Sequence, residues 1–140
     1  MSPAHRQLQT WMTFSLALYV VGGLLFLFGH PWLFDLLNLA GRMLGLPDTP
    51  APVERFWLTL SISMMVMLCV CCEMVRRDPV RNVDFCIPVF FSKFTSTLLG
   101  LVFFVLHARY VAYLSIGLTD LPLGVVTLLL WRKTRAGGAA

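Results

Sequence analysis

Four apolar runs, Trp11 to Phe28, Phe56 to Val75, Phe85 to Leu106 and Tyr110 to Trp131, set the terms on which this chain can fold. Each holds 18 to 22 residues, and a helix needs about 20 residues to cross roughly 30 Å of hydrocarbon. One small water-soluble core cannot absorb them. The sequence is 58% hydrophobic and 13% charged, against about 25% charged in an ordinary soluble domain. The two-residue alternation of membrane strands is absent, and a barrel needs at least about eight strands of around ten residues each. Helices are therefore the spanning element, because hydrocarbon offers no partner to an open backbone group. The expected fold class is all-α, an integral membrane four-helix bundle whose 140 residues form one membrane domain. The first run follows a short basic segment with His5 and Arg6, as a secretory signal would. It ends in Gly29, His30, Pro31 and Trp32 rather than at a small-residue cleavage site, and is read as a retained anchor.

Basic residues in the flanks orient the runs, since cytoplasmic loops carry an excess of them. An inside N-terminus puts Arg6, Arg76, Arg77, Arg81, Arg132, Lys133 and Arg135 on the inner side and Arg42, Arg55 and Arg109 on the outer. The expected location is the cell membrane, an inner membrane in keeping with that bias, multi-pass with both termini cytoplasmic. The net charge of +4 is then explained by topology and by anionic headgroups, and calls for no nucleic acid. Trp11 and Trp131 fall at inner span ends, Trp32 and Trp57 near the outer face, where aromatic anchors belong.

The long outer connection, Gly29 to Arg55, begins PWLFDLLNLAGRMLGL. Pro31 suits a first helical turn and Gly45 a C-terminal cap. Asp35, Asn38 and Arg42 recur at spacings of three and four, so one polar stripe runs along an otherwise apolar cylinder. Such a segment is expected to lie as a short amphipathic helix in the outer interface. The Pro-rich stretch LPDTPAP then returns the chain to the second span at Glu54 and Arg55.

Only His107, Ala108 and Arg109 separate the third and fourth runs, which makes them antiparallel neighbours. Lys93 lies 15 residues before Ala108 and Asp120 lies 12 after it. At about 1.5 Å per residue they sit roughly 22 and 18 Å below the same turn, a difference that a bent Lys side chain covers. An ion pair between Lys93 and Asp120 is expected inside the apolar layer. Ionisable groups at that depth cost several kcal/mol unless paired, and so become candidates for a ligand or ion site. Ser96 and Thr97 beside Lys93, and Thr119 beside Asp120, complete the candidate set. Ser92, Ser96 and Gly100 form a small-residue ridge that admits a close helix. Gly117 and Gly124 share the face of Asp120, and Pro122 removes a backbone bond to the Leu118 carbonyl, so a kinked, polar-lined cavity is one outcome. The other is a pair that only registers two helices.

Cys69, Cys71 and Cys72 stand among Met64, Met65, Met67 and Met74 near the inner end of the second span, with Cys86 at the start of the third. Cys69, Cys72 and Cys86 are the thiol candidates for a soft metal. Only Cys69 and Cys72 share a helical face, however, and buried packing is the favoured reading over a metal site, because Cys and Met both serve as ordinary apolar fillers. His5, His30 and His107 fall at span ends, where they cannot grip a haem between helices. Glu73, among Arg76, Arg77, Asp78 and Arg81, reads as a neutralised boundary cluster rather than a catalytic acid. No pattern calls for a cofactor.

Three classes of function remain. An accessory or structural subunit, or a binder of apolar ligands, would use the ridge and the interfacial helix to meet the bilayer and a membrane-protein partner or a second copy. A proton- or ion-coupled transporter would switch at Asp120, working as an oligomer. A lipid-processing enzyme would use Lys93 and Asp120 as base and acid, but no second carboxylate lies at that depth, which weighs against enzymatic activity. In span number and layout the chain resembles the small bacterial four-span proteins of the DoxX-like kind, a likeness that implies the bundle and gives no residue a role.

Overall fold

The computed structural model describes residues 2–50 and 56–137; Glu54, Arg55 and the end of the Pro-rich stretch lie outside them. Five α-helices follow in order: α1 (Pro3–Phe28), α2 (His30–Met43), α3 (Phe56–Arg77), α4 (Cys86–Leu106) and α5 (Val111–Gly137). Among the described residues there is no strand. Four of the helices, with the 3₁₀ turn Val83–Phe85 leading into α4, are long and apolar enough to cross a membrane.

These helices overrun the apolar runs at the ends nearest the termini. α1 starts at Pro3, where a proline costs no hydrogen bond and the Ser2 side chain accepts from the His5 amide. α5 continues through Trp131 to Gly137. Hydropathy marks the apolar part of a helix, whereas backbone hydrogen bonding persists through its polar ends.

The long helices pack in cyclic order α1, α3, α4, α5, with the closest seams at α1–α3 and α4–α5. Glycines permit the close approaches. A Cβ on Gly23 would meet Met65 Cβ at 3.7 Å across the first seam. On the second, a Cβ on Gly100 would lie 3.0 Å from the Tyr113 carbonyl oxygen, and one on Gly124 3.2 Å from Lys93 Cβ. The core gathers toward the end that carries both termini: Leu8, Met12, Leu68, Cys72, Val75, Cys86, Val89 and Phe90 are buried there. Outward, the bundle stays apolar. Only 17–28% of the most apolar windows of the four long helices is buried, and Phe28, Phe91, Leu98, Val105 and Leu118 face away from the protein.

α2 is closed by a Schellman turn. Gly45 adopts φ +68°, Leu46 N–H donates to the Gly41 carbonyl at 2.9 Å and Gly45 N–H to that of Arg42 at 3.1 Å. Gly41 is buried, 3.3 Å from Val111 by the path a Cβ would take, so α2 rests on the start of α5. Part of its polar stripe holds the chain that follows. Asn38 donates to the Thr49 carbonyl (3.2 Å) and accepts from the Thr49 amide (2.7 Å), and Arg42 forms a bidentate pair with Asp48 at 2.9 and 2.6 Å. Losing one such bond costs about 1 kcal/mol. Asn38→Ala is therefore expected to speed amide exchange at Thr49 about fivefold. The Arg42 guanidinium, bonded to Asp48, holds that carboxyl below its usual range. A lowered carboxylate pKa contributes stability above the unfolded value and loses it as pH falls through the folded one, so the protection of that amide, its exchange relative to the intrinsic rate at each pH, should fall in acid.

Candidate functional site

The fourth residue of each helical turn decides what meets across the α4–α5 seam. Lys93 Cβ stands opposite Gly124, and Ser96, almost one turn further along α4, stands opposite Asp120. Lys93 therefore extends along its helix to reach the carboxylate. Its Nζ lies 3.0 Å from Asp120 Oδ1, with side chains only 6% and 16% exposed. The other carboxylate oxygen, Oδ2, accepts from Ser96 Oγ. That hydroxyl also lies 3.0 Å from the Lys93 carbonyl, but it has one proton, and a charged acceptor makes the stronger bond. Both oxygens of Asp120 are thus engaged by α4.

The other half of the bundle contributes an aromatic face. Tyr19 of α1, 3% exposed, presents its ring 4.8 Å from Lys93 Nζ, within the range of a cation–π contact. One ammonium thereby bridges α5 and α1. Seven residues along α5 from Asp120, Thr127 repeats the α1–α5 connection without charge: Trp11 Nε1–H donates to its hydroxyl at 2.9 Å, and the hydroxyl donates to the Leu123 carbonyl at 2.7 Å. Thr127→Val keeps the shape and removes the acceptor, and should cost about 1 kcal/mol of stability, measured by unfolding in mild detergent.

Not every candidate joins this cluster. Thr97 is buried, but its hydroxyl donates to the Lys93 carbonyl at 2.8 Å within α4. Thr119 is exposed and donates to the Ser115 carbonyl at 2.9 Å. Adjacency to Asp120 misleads here, because one residue turns a helix by about 100°. Cys72 and Cys86 fill the core and Cys69 is half-buried beside them; among the described residues no three His, Cys, Asp or Glu groups are arranged to hold a metal ion. α5 runs unbroken through Pro122. Two open concavities lie elsewhere, one at the α4–α5 turn lined by Val102, Phe103, Leu106, His107 and Tyr113, the other at the termini beside Arg6 and Trp11.

Tyr19 and Thr127 are the participants that sequence reasoning missed. Ser15, one turn from Tyr19 on the same face of α1, is buried too, its hydroxyl without a hydrogen-bond partner. Helical phase was the available signal: Leu8, Met12, Ser15 and Tyr19 recur at spacings of three and four, a stripe that α1 buries.

At the ends, Glu73 pairs with Arg76 at 2.6 Å and Arg77 at 2.7 Å. Asp78 Oδ1 accepts from the amides of Val80 and Arg81, closing the turn between α3 and α4. Asp84 accepts from Trp131 Nε1 at 3.2 Å and lies 3.7 Å from Arg135.

Comparison with protein-family models, curated proteins and solved structures finds no match to this chain. Fold and site define its class directly: an all-helical protein with four helices of membrane-spanning length and apolarity, two of which, α4 and α5, are joined by a largely buried Lys–Asp pair.

Proposed function

We propose that this is an integral membrane protein of accessory or structural type, inserted with both termini in the cytoplasm, in which the Lys93–Asp120 pair is a clamp. The observation that carries the reading is the engagement of both Asp120 oxygens, one by Lys93 and one by Ser96. Neither open concavity includes Lys93 or Asp120. A transport site needs a route by which water or an ion reaches the carboxylate, and a ligand site needs space beside it.

Insertion is supported by the outward apolar surface, which water would not tolerate at this extent. It is supported also by α2, whose Trp32, Leu36, Leu39 and Met43 form an exposed apolar stripe away from the bundle, as an interfacial helix requires. Orientation is supported by charge. The end carrying the termini has seven basic side chains and three acidic ones, Glu73, Asp78 and Asp84, which accounts for the whole net charge of +4.

Purification in mild detergent, with identification of co-purifying proteins and small molecules, tests the function. A membrane protein recovered in fixed stoichiometry is the expected result. Proton or cation flux in proteoliposomes that Asp120→Asn abolishes would replace this reading by the transport one.

A further inference from the structure

The positive charge gathered around the termini has a local focus. Between α1 and α5, a groove of about 380 Å³ is lined by Arg6, Gln7, Thr10, Trp11, Phe14 and Leu130. Its mouth is polar and its wall apolar. Lys133, one turn beyond Leu130, stands at the mouth, its Nζ 2.8 Å from Gln7 Oε1. That contact is with an amide, so the charge of Lys133 is not neutralised by it. Arg6 is exposed and forms no ion pair among the described residues. The acidic groups of this end are engaged elsewhere: Glu73 by Arg76 and Arg77, Asp84 by Arg135 and Trp131, and Asp78 by the amides of Val80 and Arg81 in the α3–α4 turn. Deeper along α1, Phe14, Leu18 and Val21 continue outward-facing and apolar.

We propose that this groove binds one anionic phospholipid, its phosphate between Arg6 and Lys133 and an acyl chain along Trp11, Phe14 and Leu130. The charge complementarity commits the site to an anionic headgroup, because two unneutralised cations flank the mouth and, among the described residues, no carboxylate lines the groove. The apolar wall commits it to a lipid, since from Arg6 to Phe14 the groove descends about 12 Å, at 1.5 Å per residue, into the layer where acyl chains lie. The α1–α5 seam is packed less closely than α1–α3 or α4–α5, so a chain lodged there would complete it. The inference rests on the membrane reading above.

The test uses the full chain purified in detergent and presented with phosphatidylglycerol or phosphatidylcholine of identical acyl chains, bound lipid being counted by native mass spectrometry. Each basic residue near an anionic surface contributes about fivefold, so R6Q/K133Q should lose about 25-fold of phosphatidylglycerol retention. R81Q, at the same end but in the α3–α4 turn and outside the groove, should leave it close to the wild-type value. F14A should lower retention of both lipids. Three results would each overturn the site: no preference for phosphatidylglycerol in the wild type, an unchanged preference in R6Q/K133Q of native helical content, or an equal loss in R81Q, which would mean diffuse surface attraction. If the double variant does not fold, R6Q and K133Q singly carry the test at about fivefold each. Reconstitution into vesicles of either lipid keeps the two readings apart. A protein that enters neither fails the membrane reading, whereas one that enters both equally and holds no phosphatidylglycerol fails only the lipid site.

Discussion

Replacing Lys93 by methionine, which keeps most of the stem and removes the ammonium, is expected to destabilise the bundle by about 3 kcal/mol or more. Asp120 would keep Ser96 on one oxygen and lose the cation 3.0 Å from the other. The cost arises from the carboxylate left behind, because desolvation of a buried charge is no longer offset. Tyr19 would lose the cation over its ring as well, worth about 1 kcal/mol. Asp120→Asn should do less damage, about 2 kcal/mol, since the neutral amide still accepts from Ser96 and the ammonium keeps the Tyr19 ring beside it. Unfolding in mixed micelles, followed by circular dichroism, gives both values. A Lys93→Met variant as stable as the wild type would show that the pair contributes nothing to the fold.

Gly100→Val should be the most damaging glycine substitution on the α4–α5 seam. The first added carbon would lie 3.0 Å from the Tyr113 carbonyl oxygen and 3.5 Å from Ile116 Cβ. A backbone oxygen cannot swing aside, so the helices must separate, and with two methyls beyond that carbon the loss should reach about 3 kcal/mol, the upper range for overpacking. Separation also lengthens the Lys93–Asp120 contact along the same seam. Gly22→Ala is the matched control: nothing lies within 4 Å of its Cβ, and the helix should gain about 0.5 kcal/mol or more. The same micelle assay should therefore move in opposite directions for the two glycines. A Gly100→Val variant of wild-type stability would mean that α4 and α5 do not meet there.

Much of this arrangement is legible from residue spacing. A helix has a fixed rise, so counting from the His107–Arg109 turn brings Lys93 within reach of Asp120, and the three-residue connection makes the two helices neighbours. Pro31 and Gly45 bracket α2 because each suits only a few backbone conformations. Tyr19 was not legible in the same way. It belongs to a helix more than seventy residues away from Lys93, and neither rise nor phase says that α1 lies across the bundle from α4. Asn38 and Arg42 read as a solvated stripe because a periodicity shows which side is polar and not what folds back onto it; Thr49 and Asp48 do. Thr119 shows the converse error, in which a neighbour in sequence points away from the site.

The clamp itself is tested most directly by the stability of the double variant Lys93→Met/Asp120→Asn, measured beside its two singles in the same micelle assay. A buried ion pair exchanged for neutral groups of similar volume is often close to neutral in stability. The account predicts that the double variant recovers to within about 1 kcal/mol of the wild type, although at least one single variant is far below it. A double variant no more stable than the worse single would contradict the clamp, because the two side chains would then act independently.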